Sequence, residues 1–306
     1  MILCCGEALI DLLPGENDTP LPLVGGSVLN TAVALGRLGA EVGLLTGLSS
    51  DAYGQQIEAH LDASHVSSTH CIRSDRPTTL AVVTLVDGQA QYRFEDEGSA
   101  LRMIGVPDLP ALPDTVQTMV FGGISLIPTP IADTLAHLCI NRPDDVICML
   151  DANVRPGFVN DPQTYRARLQ RMLAATDIIK VSDEDLEWLV PDTGSVQDAI
   201  AQLLDAGPSV VLFTEGAKGA SAIRAGQDPV FVASRSVDVV DTVGAGDTFN
   251  AGVLHSLKVQ GKLKKSELKS APADVWRTAL DFASGAAAIT VSRAGANPPW
   301  ANELES

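Results

Sequence analysis

Short apolar segments alternate with amphipathic helical segments along most of this 306-residue chain. The apolar segments are "MILCC", "EVGLLTGL", "MVFGG", "VICMLD", "DIIKVS" and "SVVLFTEG", and helical segments such as "NTAVALGRLG", "TYRARLQRMLAAT" and "VQDAIAQLLDAG" lie between them. A strand that is apolar throughout is buried on both faces, as in a parallel sheet with helices on both sides. The pattern therefore predicts an α/β fold, in which ligands bind beyond the carboxyl ends of the strands.

A predicted hairpin interrupts this alternation. The segments "TTLAVVTLV" and "AQYRFED" flank Asp87-Gly88, a dipeptide that favours a two-residue turn between antiparallel strands. We expect this hairpin to form a flap that is separate from the main sheet. Later in the chain, "ALDFASGAAAITVSRAGA" predicts a long helix of small residues that ends in a glycine turn.

The composition argues against several classes of function. A net charge of −17 disfavours binding to nucleic acid or to an anionic membrane, because both are normally met by a basic surface. The five cysteines are an odd number without a CxxC pair, which indicates reduced thiols and a cytoplasmic protein. The chain has neither a basic N-terminal region nor an apolar run of about 18 residues, so we expect no signal peptide and no membrane span.

The segment "DTVGAGDTFNAG", Asp241 to Gly252, predicts a turn from a strand to a helix. The preceding "SVDVVD" is rich in β-branched residues and is predicted as a strand, whereas apolar residues recur at helical spacing after the turn. Gly244 and Gly246 allow positive φ and expose backbone N–H groups, and a helix N-terminus adds further unpaired N–H groups. Such a turn attracts phosphate, yet this one also holds a carboxylate, Asp247.

This combination matches the needs of phosphoryl transfer. The N–H groups of Ala245, Gly246 and Asp247 can stabilise charge on the transferred group, and the Asp247 carboxylate can accept the proton of the attacking hydroxyl. The positive helix end favours the ionised form of that carboxylate. The alternative is that Asp247 only caps the helix. A dinucleotide fingerprint would need a glycine where Phe249 stands, and the chain contains no G-x-x-x-x-G-K-[ST] loop and no HRD or DFG element.

A second group of polar residues lies near the first strand. Asp11 follows that strand, and Gly25, Gly26 and Asn30 surround the start of the first helix. A carboxylate, an amide side chain and exposed N–H groups are what a polyhydroxylated ligand requires. Taken separately, the glycines are also typical of a plain turn, and the asparagine is typical of a helix cap.

Three further strand ends carry polar residues. Arg155 in "DANVRPG" is within reach of a phosphate or a ligand hydroxyl, or forms a surface ion pair. Ser182 and Asp185 in "KVSDED" have the spacing of a capping box at a helix start. The glycine-rich segment "TEGAKG", residues 214–219, is equally typical of a hairpin turn.

Together these motifs resemble the ribokinase, or PfkB, family of sugar kinases, and among its members they are most similar to fructokinases. The resemblance runs from "GEALIDLLP" through "GGSVLNTAVALGRLGA", "DANVRPG", "KVSDEDLEWL" and "FTEGAKGA" to "DTVGAGDTFNAGVL" and "AAAITVSRAGA". It implies a single ribokinase-like domain over residues 1–306, a three-layer sandwich around a mostly parallel doubly wound sheet. A small β lid is expected from segments near residues 10–24 and 78–100.

The resemblance also implies roles for individual residues. Asp247 would be the base for the sugar hydroxyl, and Gly244, Ala245 and Gly246 would form the anion hole for the γ-phosphate of ATP. The sugar contacts would come from Asp11, Gly25, Gly26, Asn30 and Arg155. The nucleotide would lie along Lys180, Ser182, Asp185, Thr214, Gly216, Gly219 and Ser284.

Further implications concern ions and assembly. Mg²⁺ would be bound to the ATP phosphates, and a monovalent cation, K⁺, would lie at Asp241 and the Val243 carbonyl. The lid would cover the sugar, exclude water and pair two subunits in a homodimer. Two elements depart from the family pattern: Ser49 and Ser50 stand where Gly and Asp are common, and the "NxxE" element associated with Mg²⁺ begins with Ser182.

The hypothesis that follows is an ATP-dependent kinase that phosphorylates D-fructose at O6. Kinases for 2-keto-3-deoxygluconate or ribose are alternatives of the same class, and Arg155 is the candidate partner for the carboxylate of the keto acid. A non-catalytic sugar- or nucleotide-binding protein should have lost Asp247 or a glycine of the anion hole, and both are present. An NAD-dependent oxidoreductase would carry its fingerprint in the first βα turn, which reads "CCGEALID" instead.

Overall fold

The computed structural model describes residues 1–15, 19–86 and 89–304. The strands within these residues are β1 (Ile2–Cys5), β2 (Leu9–Leu13), β3 (Leu21–Gly25), β4 (Val42–Leu45), β5 (Gly47–Ser49), β6 (Val66–Ser67), β7 (Ile72–Ser74), β8 (Leu80–Val86), β9 (Gln89–Glu95), β10 (Thr118–Gly122), β11 (Ile147–Asp151), β12 (Ile178–Ser182), β13 (Val210–Thr214), β14 (Gly219–Ile223) and β15 (Val230–Ala233). The helices are α1 (Ser27–Arg37), α2 (Ala52–Ala63), α3 (Ile131–Ile140), α4 (Pro162–Leu173), α5 (Asp183–Leu189), α6 (Val196–Asp205), α7 (Ala245–Val259), α8 (Lys265–Leu268) and α9 (Ala273–Val291).

The main sheet has nine strands in the order β15-β14-β13-β12-β11-β10-β1-β4-β6. All pairs from β6 to β13 are parallel, and β14 and β15 add an antiparallel edge. The predicted, mostly parallel sheet is therefore confirmed. The strand order reverses at β1, so the carboxyl ends of β1, β10, β11 and β12 meet at one edge of the sheet, where ligands of such folds bind.

Successive residues of each strand enter two different cores. Cys4 belongs to a core formed with α1, α2, α7 and α9, and Cys5 belongs to a second core formed with α3, α4, α5 and α6. Because adjacent side chains of a strand point to opposite faces, a strand that is apolar throughout supplies both cores. The result is the expected three-layer sandwich of helices, sheet and helices.

A second sheet of four strands, in the order β3-β2-β8-β9, lies apart from the main sheet. It contains the predicted hairpin, since β8 and β9 pair antiparallel up to Val86 and Gln89. The turn residues Asp87 and Gly88, and residues 16–18 of the predicted lid segment, lie outside the described residues. Leu21 and Leu23 of β3 are exposed. That this sheet acts as a lid stays a prediction.

Two predicted strands differ in the structure. The prediction of a strand at "SVDVVD", residues 236–241, is wrong: these residues pair with no strand, and Val239 is 64% exposed. β-Branched residues favour an extended backbone, but a strand also needs a partner, and the backbone N–H groups of Val240 and Asp241 bond instead to the Val291 carbonyl.

The segment "EVGLLTGL" forms two strands rather than one. β4 belongs to the main sheet, whereas β5 pairs with β7 in a separate two-stranded sheet. The chain leaves the main sheet where Gly47 meets the backbone of Ala100: a Cβ at Gly47 would lie 2.1 Å from the Ala100 carbonyl oxygen. A glycine inside a strand pattern marks this kind of close approach.

The predicted small-residue helix is α9, which begins earlier than expected, at Ala273. It packs along α7 so closely that a Cβ at Gly252 would lie 2.6 Å from the Ala283 Cα. This packing places the N-terminus of α7 above the carboxyl ends of the central strands. No helix in the described part of the chain has the length and apolar character needed to cross a membrane.

Candidate active site

The N-terminus of α7 holds Asp247 in a buried position. Gly244, the residue that precedes the helix, has φ 77°, and a Cβ there would lie 2.7 Å from the Ala296 Cβ. The turn therefore needs glycine for both its conformation and its space. Asp247 is only 7% exposed and lies in the first turn, where backbone N–H groups have no partner within the helix.

Both carboxylate oxygens of Asp247 are bound by side chains of α1. Ser27 Oγ donates to Asp247 Oδ1 over 2.7 Å, and Asn30 Nδ2 donates to Asp247 Oδ2 over 2.9 Å. No capping bond from a side chain is present at Gly244. Gly244 is the N-cap residue, so Asp247 is not the cap of α7. The alternative that Asp247 only caps the helix is therefore wrong.

The environment of Asp247 shifts its proton affinity. Burial raises the pKa of Asp247 to about 6, and the bonds from Ser27 and Asn30 oppose that rise. A carboxylate with a pKa near 6 is ionised at neutral pH and is a stronger proton acceptor than an ordinary aspartate. This is the property that a general base requires.

A buried lysine faces the same turn. Lys180 of β12 is 6% exposed and forms an ion pair of 3.2 Å with Asp151 at the end of β11. Asn250 Nδ2, one helical turn after Asp247, donates to the other Asp151 oxygen over 2.6 Å. Although burial lowers the pKa of Lys180, the carboxylates of Asp151, Asp185 and Asp247 raise it overall, so this lysine remains a cation.

The space between Lys180 and Gly246 is suited to an anion. A Cβ at Gly246 would lie 3.2 Å from Lys180 Nζ, so glycine leaves open the space in front of the ammonium group. The N–H groups of the first turn of α7 lie at the same place, together with the positive end of the helix dipole, although the Ala245 N–H also bonds to the Thr242 carbonyl over 3.3 Å. The residues present therefore fit a phosphate group beside the carboxylate of Asp247.

The residues predicted to bind sugar gather around the start of α1, with one exception. Asp11 lies on β2 next to Gly25, where a Cβ would lie 2.1 Å from Asp11 Oδ2. Burial raises the pKa of Asp11 to about 6. Gly26 precedes α1 with φ 115°, and Asn30 already contacts Asp247. Arg155 is the exception, because its side chain is exposed and donates to the neighbouring Val154 carbonyl.

The predicted nucleotide-binding residues lie near the carboxyl ends of β12 and β13, except for Ser284, which lies in α9. Ser182 and Asp185 form the expected capping box of α5, and Asp185 also accepts a bond from the Val154 N–H over 2.7 Å. Gly216 and Gly219 flank the turn between β13 and β14, so the hairpin expected there is present. Thr214 and Ser284 are half-buried. A nucleotide contact by any of these residues stays a prediction.

The two positions expected to hold a monovalent cation lie just before α7. Asp241 Oδ1 accepts a bond from the Val243 N–H over 3.0 Å, and Asp241 Oδ2 accepts one from the Gly295 N–H over 2.9 Å. Asp241 therefore ties the turn before α7 to the turn after α9. Among the described residues, no group of three or more His, Cys, Asp or Glu side chains is placed to hold a metal ion.

Sequence reasoning missed four residues of this site. They are Glu7, Ser27, Asp151 and Asn250, and all except Ser27 are almost fully buried. Ser27 and Asp151 each stand within a quoted motif, "GGS" and "DANVRPG", but only their glycine or arginine neighbours were singled out. Placement at the carboxyl end of a predicted strand was the available signal for Asp151 and Glu7.

Comparison with known proteins supports the same chemistry. The model of the pfkB family of carbohydrate kinases matches residues 2–303. The protein belongs to the pfkB family of carbohydrate kinases. The match covers nearly the whole chain, including the three sheets described above and the turn before α7.

Individual relatives of this pfkB kinase include several fructokinases. A fructokinase of Rhizobium leguminosarum bv. trifolii is 45% identical over 287 residues, which are 92% of this chain and 87% of that protein. The crystal structure of a fructokinase from Xylella fastidiosa with bound ATP has a TM-score of 0.89 at 26% identity, covering 99% of this chain and 97% of that one. A fructokinase from Vibrio cholerae O395 with fructose, ADP and a calcium ion bound has a TM-score of 0.82 at 25% identity, covering 96% and 94%.

Proposed function

We propose that this pfkB-family kinase transfers the γ-phosphate of ATP to the primary O6 hydroxyl of D-fructose, giving fructose 6-phosphate. The observation that carries the proposal is the buried Asp247 carboxylate, held by Ser27 and Asn30 beside the anion-binding space at Gly246. Fructose as the substrate is supported by the 45% identity to a fructokinase.

In this proposal Asp247 accepts the proton of the sugar hydroxyl as that oxygen attacks the γ-phosphorus of ATP, while the bond from that phosphorus to the bridging oxygen breaks and ADP leaves. Its two bonds to α1 keep the carboxylate in one orientation, so the hydroxyl meets an acceptor that needs no rearrangement. ATP supplies the transferable phosphoryl group. The chain's own contribution is to position the hydroxyl, accept its proton and stabilise the charge on the transferred group.

The anion-stabilising part of the site consists of the turn at Gly244, Ala245 and Gly246 together with Lys180. Backbone N–H groups at a helix start are oriented before the reaction begins, so they stabilise developing charge without reorganisation. The ammonium of Lys180 adds a fixed positive charge, which the ion pair with Asp151 holds in place.

The sugar is proposed to lie between Asp11, Gly25, Gly26 and Asn30. The Asp11 carboxylate accepts hydrogen bonds from sugar hydroxyl groups, and the Asn30 amide can both donate and accept. The two glycines bring the backbone close to the sugar. Arg155 is proposed as a further contact from the rim of the site.

The remaining assignments belong to the same proposal. We propose that ATP, with Mg²⁺ on its phosphates, lies along the residues Lys180, Ser182, Asp185, Thr214, Gly216, Gly219 and Ser284. A calcium ion and ADP in the Vibrio cholerae fructokinase support the use of a divalent metal with the nucleotide. The proposal also includes K⁺ bound at Asp241 and the Val243 carbonyl. It further includes a homodimer formed through the sheet of β2, β3, β8 and β9, and a cytoplasmic location.

The test is ATP-dependent phosphorylation of fructose, ribose, glucose, adenosine and 2-keto-3-deoxygluconate, with ADP release and product mass both measured. We expect a strong preference for fructose and a product phosphorylated at O6. A preference for the keto acid would replace fructose by a substrate whose carboxylate needs a cation, with Arg155 as the residue to mutate. No phosphorylation of any sugar by protein that binds ATP would contradict the proposed reaction.

A further inference from the structure

We propose that Glu7 is a positioning residue for the base of this kinase: its carboxylate fixes Ser27, and Ser27 fixes the carboxylate of Asp247. The inference rests on the proposed function, because it concerns the proton acceptor of that reaction. Glu7 itself touches neither substrate nor reacting atoms in this scheme.

Glu7 joins three segments that meet at the carboxyl end of β1. Its side chain is 1% exposed. Glu7 Oε1 accepts a bond from the Ser27 N–H over 3.1 Å, and Oε2 accepts one from the Ser125 N–H over 3.2 Å. The Glu7 carbonyl also accepts a bond from the Leu29 N–H over 3.2 Å. The residue therefore links the first turn of α1 to the segment after β10.

Two glycines leave the space that Glu7 occupies. A Cβ at Gly26, where φ is 115°, would lie 2.8 Å from the Glu7 carbonyl oxygen. A Cβ at Gly123, where φ is 68°, would lie 1.9 Å from Glu7 Oε1. Both glycines adopt positive φ and both approach the same glutamate, so the local backbone is shaped around this side chain.

The link from Glu7 to the base passes through a single residue. Ser27 is the first residue of α1, and its N–H group has no partner within the helix. Gly26 has no side chain with which to cap the helix, so Glu7 supplies the acceptor from outside it. The hydroxyl of the same Ser27 donates to Asp247 Oδ1. A displacement of Ser27 therefore moves the donor that orients the base.

The position requires a carboxylate rather than an amide. Both oxygens of Glu7 accept bonds from backbone N–H groups, and an ionised carboxylate accepts at both oxygens, whereas a glutamine side chain accepts at one and donates at the other. In Glu7→Gln the amide NH₂ would face one of the two N–H donors. The variant keeps the shape of the side chain and loses one of its two anchoring bonds, so Ser27 either loses its acceptor or is held by a side chain that Ser125 no longer fixes.

The experiment is a double-mutant cycle of Glu7→Gln, Ser27→Ala and the combined variant, with kcat and KM measured for fructose and for ATP. We expect Glu7→Gln to lower kcat/KM for fructose by about 10- to 100-fold, since small misplacements of a reacting group have effects of this size. The KM for ATP should stay unchanged. The kcat/KM of the combined variant should be no lower than that of the less active single variant, because its second change acts on a link already broken.

A second readout separates positioning from a general structural role. The bond from Ser27 lowers the pKa of Asp247, so Glu7→Gln and Ser27→Ala should both move the acid limb of the kcat/KM profile to higher pH. Asp151 and Lys180, the charged groups that also face Asp247, are unchanged in all variants. A ¹³C NMR titration of the Asp247 carboxyl group should give the same shift without any turnover.

Additive losses in the cycle, or wild-type kcat with an unshifted Asp247 pKa in Glu7→Gln, would overturn the inference even if the melting temperature falls. If Glu7→Gln does not accumulate as folded protein, Glu7→Asp keeps both acceptor oxygens one methylene shorter and carries the same comparison. If the wild-type protein phosphorylates no sugar, the proposed function fails, and the NMR titration alone decides the role of Glu7.

Discussion

The two sides of the active site differ in how firmly their side chains are held. On the side of α1, the carboxylate of Asp247 is 7% exposed and bound by two hydrogen bonds of 2.7 and 2.9 Å. On the side of β13 and α9, Thr214 and Ser284 are half-buried, and a Cβ at Gly216 would have no atom within 4 Å. The proposed base is fixed by the fold, whereas the part of the expected nucleotide surface that lies at β13 and α9 is open.

This difference matches the different tasks that we propose for the two sides. A proton acceptor works only if its orientation is set before the hydroxyl arrives, so its hydrogen bonds must come from the protein. A nucleotide must enter and its product must leave, and an open surface allows both. Substitutions on the held side should therefore have larger effects than matched substitutions on the open side.

The largest effect is expected from Asp247→Asn. The new amide can still accept from Asn30 and donate to Ser27 Oγ, so the variant keeps the geometry of the held side and removes only the proton acceptor. We expect kcat to fall by a factor of roughly 10² to 10⁴ with ATP binding retained. A coupled assay of ADP release measures kcat, and titration calorimetry with ATP measures ATP binding. Unimpaired turnover would return Asp247 to a purely structural role.

Lys180→Met should have the next largest effect. It leaves the Asp151 carboxylate buried without its cation, and breaking a buried ion pair in this way typically costs about 3–5 kcal/mol. Urea unfolding measures the loss. The matched control is Lys218→Met. The Lys218 side chain is 75% exposed and pairs with Glu215, so losing that ion pair should change the unfolding free energy by no more than about 0.5 kcal/mol. Equal losses in the two variants would remove the energetic basis of the comparison.

A pair of glycines tests the same contrast in the backbone. Gly244→Ala places a Cβ 2.7 Å from the Ala296 Cβ at φ 77°, so we expect a distorted start of α7 and a clear loss of kcat. Gly216→Ala meets only the left-handed strain of φ 53°, on the order of 1–2 kcal/mol, because its surroundings are open. Steady-state kinetics and thermal melting compare the two variants. A larger loss of kcat in Gly216→Ala would reverse the assignment of the held and open sides.

The smallest effect is expected from pH. Burial raises the pKa of Asp247 to about 6, so kcat/KM for fructose should fall as pH decreases through about 6, where the base becomes protonated. Asp11 also has a pKa of about 6, and Asp11→Asn removes its contribution while the limb due to Asp247 remains. A profile that is flat from pH 7 to about 5 in Asp11→Asn would contradict the assignment of Asp247 as the base.

The same pKa shift has a consequence for stability. Because the folded-state pKa of Asp247 lies above the usual 3.8, its contribution to stability is fully present below pH 3.8 and is lost as pH rises through about 6. At neutral pH, the melting temperature of Asp247→Asn should therefore be no lower than that of the wild type. Any increase in melting temperature should become smaller as pH falls below 6. Thermal melts across this range measure it.

The sequence predicted the parts of the site that depend on neighbouring residues. The glycines before Asp247 and the helix after it form one local unit, so pattern and spacing identified the carboxylate and its turn. The capping box of Ser182 and Asp185 is equally local. The strand at residues 236–241 was predicted wrongly, because β-branched residues cannot indicate whether a neighbouring strand is available to pair.

The missed residues depend on contacts between distant segments. Ser27 and Asp247 are 220 positions apart, and Asn250 and Asp151 are 99 positions apart. Glu7 looks like an ordinary charged residue after a strand, and only its burial against two backbone N–H groups distinguishes it. The partner of a polar side chain across a parallel sheet leaves no periodic signal in the sequence.

The sequence by itself determined the layers of this protein and the place of the glycine turn before α7 that we propose binds phosphate, because apolar runs, helical periodicity and glycine spacing act over a few residues. The tertiary structure alone decided that Asp247 is bound by α1 instead of capping α7, and that Lys180 is paired with Asp151. Burial and the approach of distant charges set the proton affinity of a carboxylate, and both exist only once the chain has folded.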